Sequence, residues 1–306
     1  MTTRATGIAF AFATAVISGV SIYVNGRGVR HFGDPTVYTT GKNLVAGVLL
    51  VLLALIVRSP RRDEGTPAAR PPRRQWLAMF GVGVIGGSVP FVLFFEGLAR
   101  AEATQASFIQ KTLVIWVALL AVPLLRERVG WPHVLAVVLL IVGQAYLVGH
   151  TGTIAFGTGE AMILAATLLW AVEVVYVKKL IGPIPPRFFA AARMGFGTVL
   201  LLVWVAVSGR TGALTGLDWQ QWEWLLLTGL LLSAYVATWY AALARAQAVD
   251  VTAVLVLGAV ITALLSGVVD GAAVNALGVG LVVLGTAIVA VLALRRTAAE
   301  PEASTS

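Results

Sequence analysis

Five ionisable side chains lie inside long apolar runs: Lys42, Glu96, Lys111, Glu173 and Arg193. A charge at the centre of a bilayer costs at least ~2.5–3.5 kcal/mol, so such groups face a partner or a wet cavity. They can therefore hold a charged solute or tie helices together. Lys111 sits ~10 Å along its run at 1.5 Å per residue, too deep for easy snorkelling. Gln110 is beside it and Gln105 is on the same helix. Lys111 is thus a substrate-facing cation, with Gln110 as its neighbour at the site, or the partner of Glu96 or Glu173. Glu173 is a counter-charge for a substrate amine, a proton-carrying carboxylate, or the partner of a base. Lys42 and Arg193 read as gate or substrate contacts, or as snorkelling cations and interhelix ties. Glu96 and Arg100, spaced i,i+4, suit a structural ion pair. Tyr235, Thr238 and Trp239 share one helical face, and Tyr235 and Trp239 either line a cavity for a partly apolar solute or pack between helices.

Other chemistries lack their residues. Cysteine is absent, which removes thiolate ligands and nucleophiles. His31, His133 and His150 are too scattered for a metal site, and no nucleophile–base cluster points to an enzyme. The glycines of Gly81–Gly87 (GVGVIGG) lack the Lys-Ser/Thr of a phosphate loop and read as close helix packing. No metal and no cofactor is expected.

The elements that position these residues follow from composition. Of 306 residues, 58% are hydrophobic and 12% charged, against roughly 25% charged in ordinary soluble domains. The solvent for most of the chain is lipid. A helix needs about 20 apolar residues to cross a bilayer. Ten runs qualify, near residues 7–25, 36–57, 76–99, 104–125, 131–148, 158–177, 188–207, 222–244, 251–269 and 276–294. Residues 58–75, rich in Pro and Arg, read as an unstructured connector, Glu127 reads as part of a cytoplasmic charge network, and residues 295–306 as a disordered cytoplasmic tail.

With both termini in the cytoplasm, fifteen Lys and Arg fall inside, four fall outside and three lie within spans. The positive-inside rule favours that orientation in the inner cell membrane. The net charge of +8 is therefore an orientation signal, and nucleic acid is not an expected partner. Trp76, Trp131, Trp219, Trp222 and Trp224 near span ends suit the headgroup region.

The chain also repeats. Leu98-Ala99-Arg100-Ala101-Glu102-Ala103 recurs as Leu243-Ala244-Arg245-Ala246-Gln247-Ala248, an offset of 145. At an offset of 151, Pro35 falls on Pro186 and Lys42 on Arg193. Such ordered matches mark a duplication. Because each half holds an odd number of spans, five, the second enters the membrane from the opposite side. Inverted repeats of this kind supply two similar gates around a midplane site in secondary transporters.

The stretch FFEGLARAEATQASFIQ…LLAVPLLRERVGWPHVLAVVLLIVGQAYLV (Phe94 to Val148) resembles the end of an EamA domain of the drug/metabolite transporter superfamily. Arg126-Glu127-Arg128 followed by Gly143 carries most of that likeness, and Trp170-Ala171 with Lys178 resembles the opening of a second such domain. The resemblance implies two five-helix domains, near 7–148 and 158–294, and a carrier of small solutes, often amino acids, frequently outward. It brings no catalytic residues. Family members often carry a Pro within the fourth and ninth spans. Here those regions read Lys111-Thr112-Leu113-Val114 and Leu257-Gly258-Ala259, where Gly258 permits close approach or a kink.

The reading is an all-α integral membrane protein of ten transmembrane helices in two inverted-topology five-helix repeats. It implies a secondary transporter of amino acids or related polar metabolites, exporting by alternating access around a midplane cavity. Three intramembrane cations against two carboxylates tilt that cavity towards a carboxylate or phosphate. Partners are a small-molecule substrate and the bilayer, and the Gly-rich faces allow a homodimer. The alternative is a non-transporting scaffold or a lipid-moving protein.

Overall fold

The computed structural model describes residues 3–56, 73–148, 156–181 and 185–298, within which every regular element is helical. The ten helices are α1 (Thr3–Phe32), α2 (Pro35–Ile56), α3 (Arg73–Leu98), α4 (Ala103–Lys111 and Leu113–Leu125), α5 (Trp131–Leu147), α6 (Thr158–Leu180), α7 (Pro186–Val207), α8 (Trp219–Leu243), α9 (Ala248–Leu255 and Gly258–Asp270) and α10 (Ala276–Ala298). Among the described residues nine are long and apolar enough to cross a membrane, and α5 is a shorter apolar helix. A single helical turn, Thr211–Thr215, precedes α8.

Several boundaries differ from expectation. Helix α1 runs to Phe32, beyond the Asn25 at which apolarity fades, because α2, α8 and α9 cover its polar end. Helix α10 continues to Ala298, through the first residues of the stretch expected to be a tail. The rest of that tail, most of the Pro/Arg connector and His150 lie outside the described residues.

The two halves are interlocked. Among the close helix pairings, α5 packs on α10, α1 on α8, α2 on α7 and α3 on α6. Exchanging the halves maps α1–α8 onto α6–α3 and leaves α2–α7 and α5–α10 as self-pairs. That pattern is a pseudo-two-fold through the α2–α7 and α5–α10 contacts.

Three helices depart from regular geometry, each away from its ends. Helix α3 opens into a wide turn over Gly83–Ser88. Its glycines are needed there: a Cβ on Gly87 would lie 1.9 Å from the Arg193 carbonyl oxygen, and Gly87 crosses Gly197 of α7. The glycine-rich face expected to mediate close packing is thus used within the chain.

Helices α4 and α9 both break at positions 145 apart, Thr112 and Leu257, with no proline at either. At the first, Thr112 Oγ1 donates to the Ile109 carbonyl at 2.6 Å while its N–H tightens onto Ile109. At the second, Val256, Leu257 and Ala259 donate to carbonyls three residues back. Such tight i→i+3 turns interrupt α geometry without proline.

Candidate functional site

These irregularities converge on one region. A cavity of ≈ 60 Å³ is lined by Ser18, Asn25, Lys42, Phe95, Gln110 and Tyr235, among others. A second space, of ≈ 20 Å³, is lined by Gln110, Trp170, Glu173, Arg193, Tyr235 and Trp239. Gln110, Trp170 and Tyr235 border both, so the two are lobes of one site between the halves.

The first lobe is built on α1. Asn25 and Ser18, seven residues apart, occupy one face of that helix, ~10 Å apart along its axis. Asn25 Oδ1 accepts from Tyr38 Oη at 2.7 Å and from Lys42 Nζ at 2.8 Å, while its Nδ2 donates to the Ser21 carbonyl and Oγ. Lys42 Nζ lies 3.4 Å from the Phe95 ring centroid, a cation–π contact. Lys111, at the break in α4, donates to Ser18 Oγ at 2.8 Å and to Gln110 Oε1 at 3.1 Å. A Cβ on Gly258, at the break in α9, would lie 3.5 Å from Lys111 Nζ, so the two breaks meet beside α1. Among the described residues no carboxylate lies within ion-pair distance of Lys42 or Lys111. Both side chains are nonetheless almost wholly buried, at 2% and 1% exposure.

The second lobe carries an internal ion pair. Arg193 Nη1 lies 3.6 Å from Glu173 Oε2, and Tyr240 donates its hydroxyl hydrogen to Glu173 Oε1. The wide turn in α3 releases the Gly86 carbonyl, which accepts from Arg193 Nε at 3.0 Å and Trp170 Nε1 at 3.1 Å. The Phe91 ring sits between the lobes, 5.8 Å from Lys42 Nζ and 5.6 Å from the Arg193 guanidinium carbon.

The structure thus brings Lys42, Lys111, Gln110, Glu173, Arg193, Tyr235 and Trp239 to one region. Lys111 pairs with neither Glu96 nor Glu173. Glu96 stands apart: Arg100 donates to it at 2.6 Å, Thr36 Oγ1 at 2.8 Å, and Arg210 lies 3.8 Å away while also reaching Asp34 at 3.3 Å. Thr238 turns to α1, sharing a hydrogen bond with Thr14.

Sequence reasoning missed Asn25 and Ser18, hidden in a helix whose polar end was taken as its boundary. It missed the role of Tyr240, one residue beyond the expected pair. Glu127 proves specific: its two oxygens accept from the Ala248 and Val249 amides at 2.7 and 3.0 Å, capping α9 from the other half. Beside it, Lys178 Nζ donates to the Leu243 and Ala246 carbonyls at the end of α8. His133 Nε2 lies 3.4 Å from Asp250 Oδ1, both buried. At the opposite boundary Arg27 pairs with Asp270. The offset of 151 relates Arg27 to Lys178, but their contacts differ: Arg27 reaches the broken helix of the other half, and Lys178 the end of α8 in its own half.

Comparison with known proteins agrees with this architecture. The model of the EamA-like transporter family matches residues 5–149 and 157–294. An uncharacterized transporter of Methanothermobacter thermautotrophicus is 26% identical over 179 residues, 54% of this chain and 51% of that protein. One of Archaeoglobus fulgidus is 26% identical over 202 residues, 64% of this chain and 68% of that protein. One of Synechocystis is 24% identical over 195 residues, 58% of this chain and 54% of that protein. The chain thus spans about half to two thirds of the length of these relatives. A crystal structure superposes with a TM-score of 0.70 at 18% identity, covering 92% of this chain and 98% of that one, which supports the fold alone.

Proposed function

The chain belongs to the EamA-like transporter family, and from that premise we propose that it is a secondary carrier for small polar metabolites bearing a carboxylate, amino acids among them. In this reading it exports them across the cell membrane, termini cytoplasmic, by alternating access. The observation that carries the substrate class is the charge inventory of the cavity. Lys42 and Lys111 meet neutral groups and aromatic rings, whereas Glu173 is matched to Arg193 and Tyr240. A carboxylate entering near Asn25 and Ser18 gains two ammonium donors, and charge-assisted bonds of this kind are about twice as strong as neutral ones. An amino-acid amine can approach the Glu173 lobe across Gln110 and Tyr235, which border both lobes.

At ≈ 60 Å³ the main lobe has room for a few waters, so substrate entry requires the halves to part. Two boundary contacts between the halves supply places for this: Glu127 on the first amides of α9, and Arg27 on Asp270.

The test is flux in proteoliposomes against amino acids, organic acids and cationic drugs, with and without a pH gradient. Saturable flux of carboxylate-bearing solutes, lost in a folded Lys111→Ala variant, supports the reading. A gradient dependence lost in Glu173→Gln adds proton coupling. Absence of flux for every class in well-folded vesicles counts against a solute carrier and favours a scaffold or a lipid-moving protein.

A further inference from the structure

Helices α5 and α9 begin at the boundary where Glu127 caps α9, and their first turns bring together two side chains that solute binding does not use. His133 is the third residue of α5 and Asp250 the third of α9. They belong to different halves, and His133 Nε2 lies 3.4 Å from Asp250 Oδ1. Both are buried, Asp250 completely. Among the described residues neither oxygen of Asp250 has a hydrogen-bond partner, nor has His133 Nε2. A buried carboxylate in that position is expensive unless a cation or a proton neutralises it.

The surrounding elements supply little of that charge. From α6, Lys178 is within electrostatic reach of Asp250 and Glu127, but its ammonium donates to the Leu243 and Ala246 carbonyls. Just past α4, Glu127 adds a second negative charge and is engaged by the Ala248 and Val249 amides. From α1, half-buried Arg4 is within reach of Lys178. Arg245, past the end of α8, donates to the Ala241 carbonyl and packs over Phe10. Helix α10 carries no charge before the exposed Arg295, and Arg126, Arg128 and Lys179 are exposed. Among the described residues, the basic group in contact with Asp250 is the His133 ring. An imidazole is the side chain whose charge changes between about pH 5 and 8.

The repeat gives the opposite boundary no such pair. The offset of 145 relates Asp250 to Gln105, and the offset of 142 that relates Gly143 to Gly285 relates His133 to Asn275. Both counterparts are neutral amides, and Asn275 is exposed. His31, near that boundary, is exposed beside Trp224.

We infer that His133 and Asp250 form a proton-operated lock between the halves: a proton taken from the adjacent aqueous side onto His133 closes this boundary, and its loss lets the halves part. The protonated ring of the first half then faces the carboxylate of the second, and parting exchanges that contact for water. The closed arrangement therefore holds the proton more tightly, and by linkage a falling pH favours closure. The inference takes from the carrier reading only that the halves part here, and needs no particular solute.

The chain has no cysteine, so spin labels can be placed in pairs without background. Trp131→Cys with Lys179→Cys, both exposed and in different halves, reads this boundary, and Arg30→Cys with Ala273→Cys reads the opposite one. Distances are measured on the full chain in nanodiscs at about pH 5 and about pH 8. Acid should move the first pair to its short distance, raising the ratio of closed to open at least about tenfold, the equivalent of one charge-assisted bond. Asp250→Asn removes the charge that calls for the proton and should hold the short distance at both pH values. His133→Gln strands that charge and should hold the long distance at both. Thermal unfolding checks that each variant is folded, and if His133→Gln is not, Asp250→Asn carries the test. An unmodified chain without the shift, or a shift that survives in either folded variant, overturns the inference. The second pair separates the two readings: in an alternating carrier it lengthens as the first shortens, and if it stays still the carrier reading fails while the lock stands.

Discussion

The Glu173–Arg193 contact permits a quantitative prediction. The charges lie 3.6 Å apart in a fully buried setting, which at an effective dielectric constant of 20 corresponds to about 4–5 kcal/mol of attraction. Desolvation of both ions offsets most of it, so the pair contributes little net stability, but losing one member leaves a buried charge uncompensated at about 3–5 kcal/mol. Glu173→Gln keeps an acceptor for Tyr240 while removing the charge facing Arg193, and should cost that amount. Arg193→Met should cost a similar amount, because it also leaves Glu173 unmatched. The double variant should cost only about 1–3 kcal/mol, for the hydrogen bonds to Gly86 and Tyr240 that are lost or weakened. Equilibrium unfolding of the four proteins in one detergent gives the coupling directly. If the double variant equals the sum of the singles to within about 0.5 kcal/mol, the residues are energetically independent, and the lobe is not organised by this pair.

Four further outcomes follow from the same geometry. Lys42→Met or Lys111→Met strands no carboxylate, so each should leave stability unchanged or raise it by about 1 kcal/mol while reducing carboxylate flux at least about tenfold, read by unfolding and vesicle uptake. Gly87→Val should fail to yield folded protein, since even its Cβ meets the Arg193 carbonyl, whereas Gly212→Ala, with nothing within 4 Å, should be neutral by size-exclusion profile. Glu127→Ala uncaps the α9 amides and should cost about 1–2 kcal/mol in unfolding free energy. Arg27→Ala, breaking a half-exposed pair, should cost no more than about 1 kcal/mol.

The sequence displayed the spans, the repeat and the intramembrane charges because each leaves a local mark: an apolar run, an ordered match, or a charge where none is cheap. It concealed what depends on a third element. Asn25 looked terminal because apolarity fades there, yet α1 continues under the cover of neighbouring helices and makes Asn25 the anchor of Lys42. Breaks at Thr112 and Leu257 carry no proline and are visible only as tight backbone turns where α4 and α9 meet beside α1. The GVGVIGG stretch pointed to close packing but not to the wide turn that frees the Gly86 carbonyl for Arg193 and Trp170. Glu127 looked like one acid among loop charges, and its function as a cap depends on an amide pair 121 residues away.

Symmetry and chemistry part company at the cavity. The backbone obeys the repeat: the helix breaks are 145 residues apart, the inter-half pairings exchange, and Lys42 and Arg193 flank the same Phe91 ring. The charges do not. Glu173 corresponds to Ile22, and Lys111 to Val256, so one lobe holds an internal ion pair and the other holds two lysines with no carboxylate partner among the described residues. In the proposed carrier reading the two closed arrangements must be close in energy, which matched backbones favour. It also needs its solute to bind in one orientation, which matched charges would work against. On that reading each requirement falls on a different level of the structure, the repeated backbone and the unrepeated side chains. A chain with the Glu173–Arg193 pair intact but Lys111 and Lys42 both replaced by Met should therefore retain the fold and the boundary contacts while losing preference for carboxylate over neutral solutes. Retention of that preference in competition uptake would place the selectivity outside these two lysines.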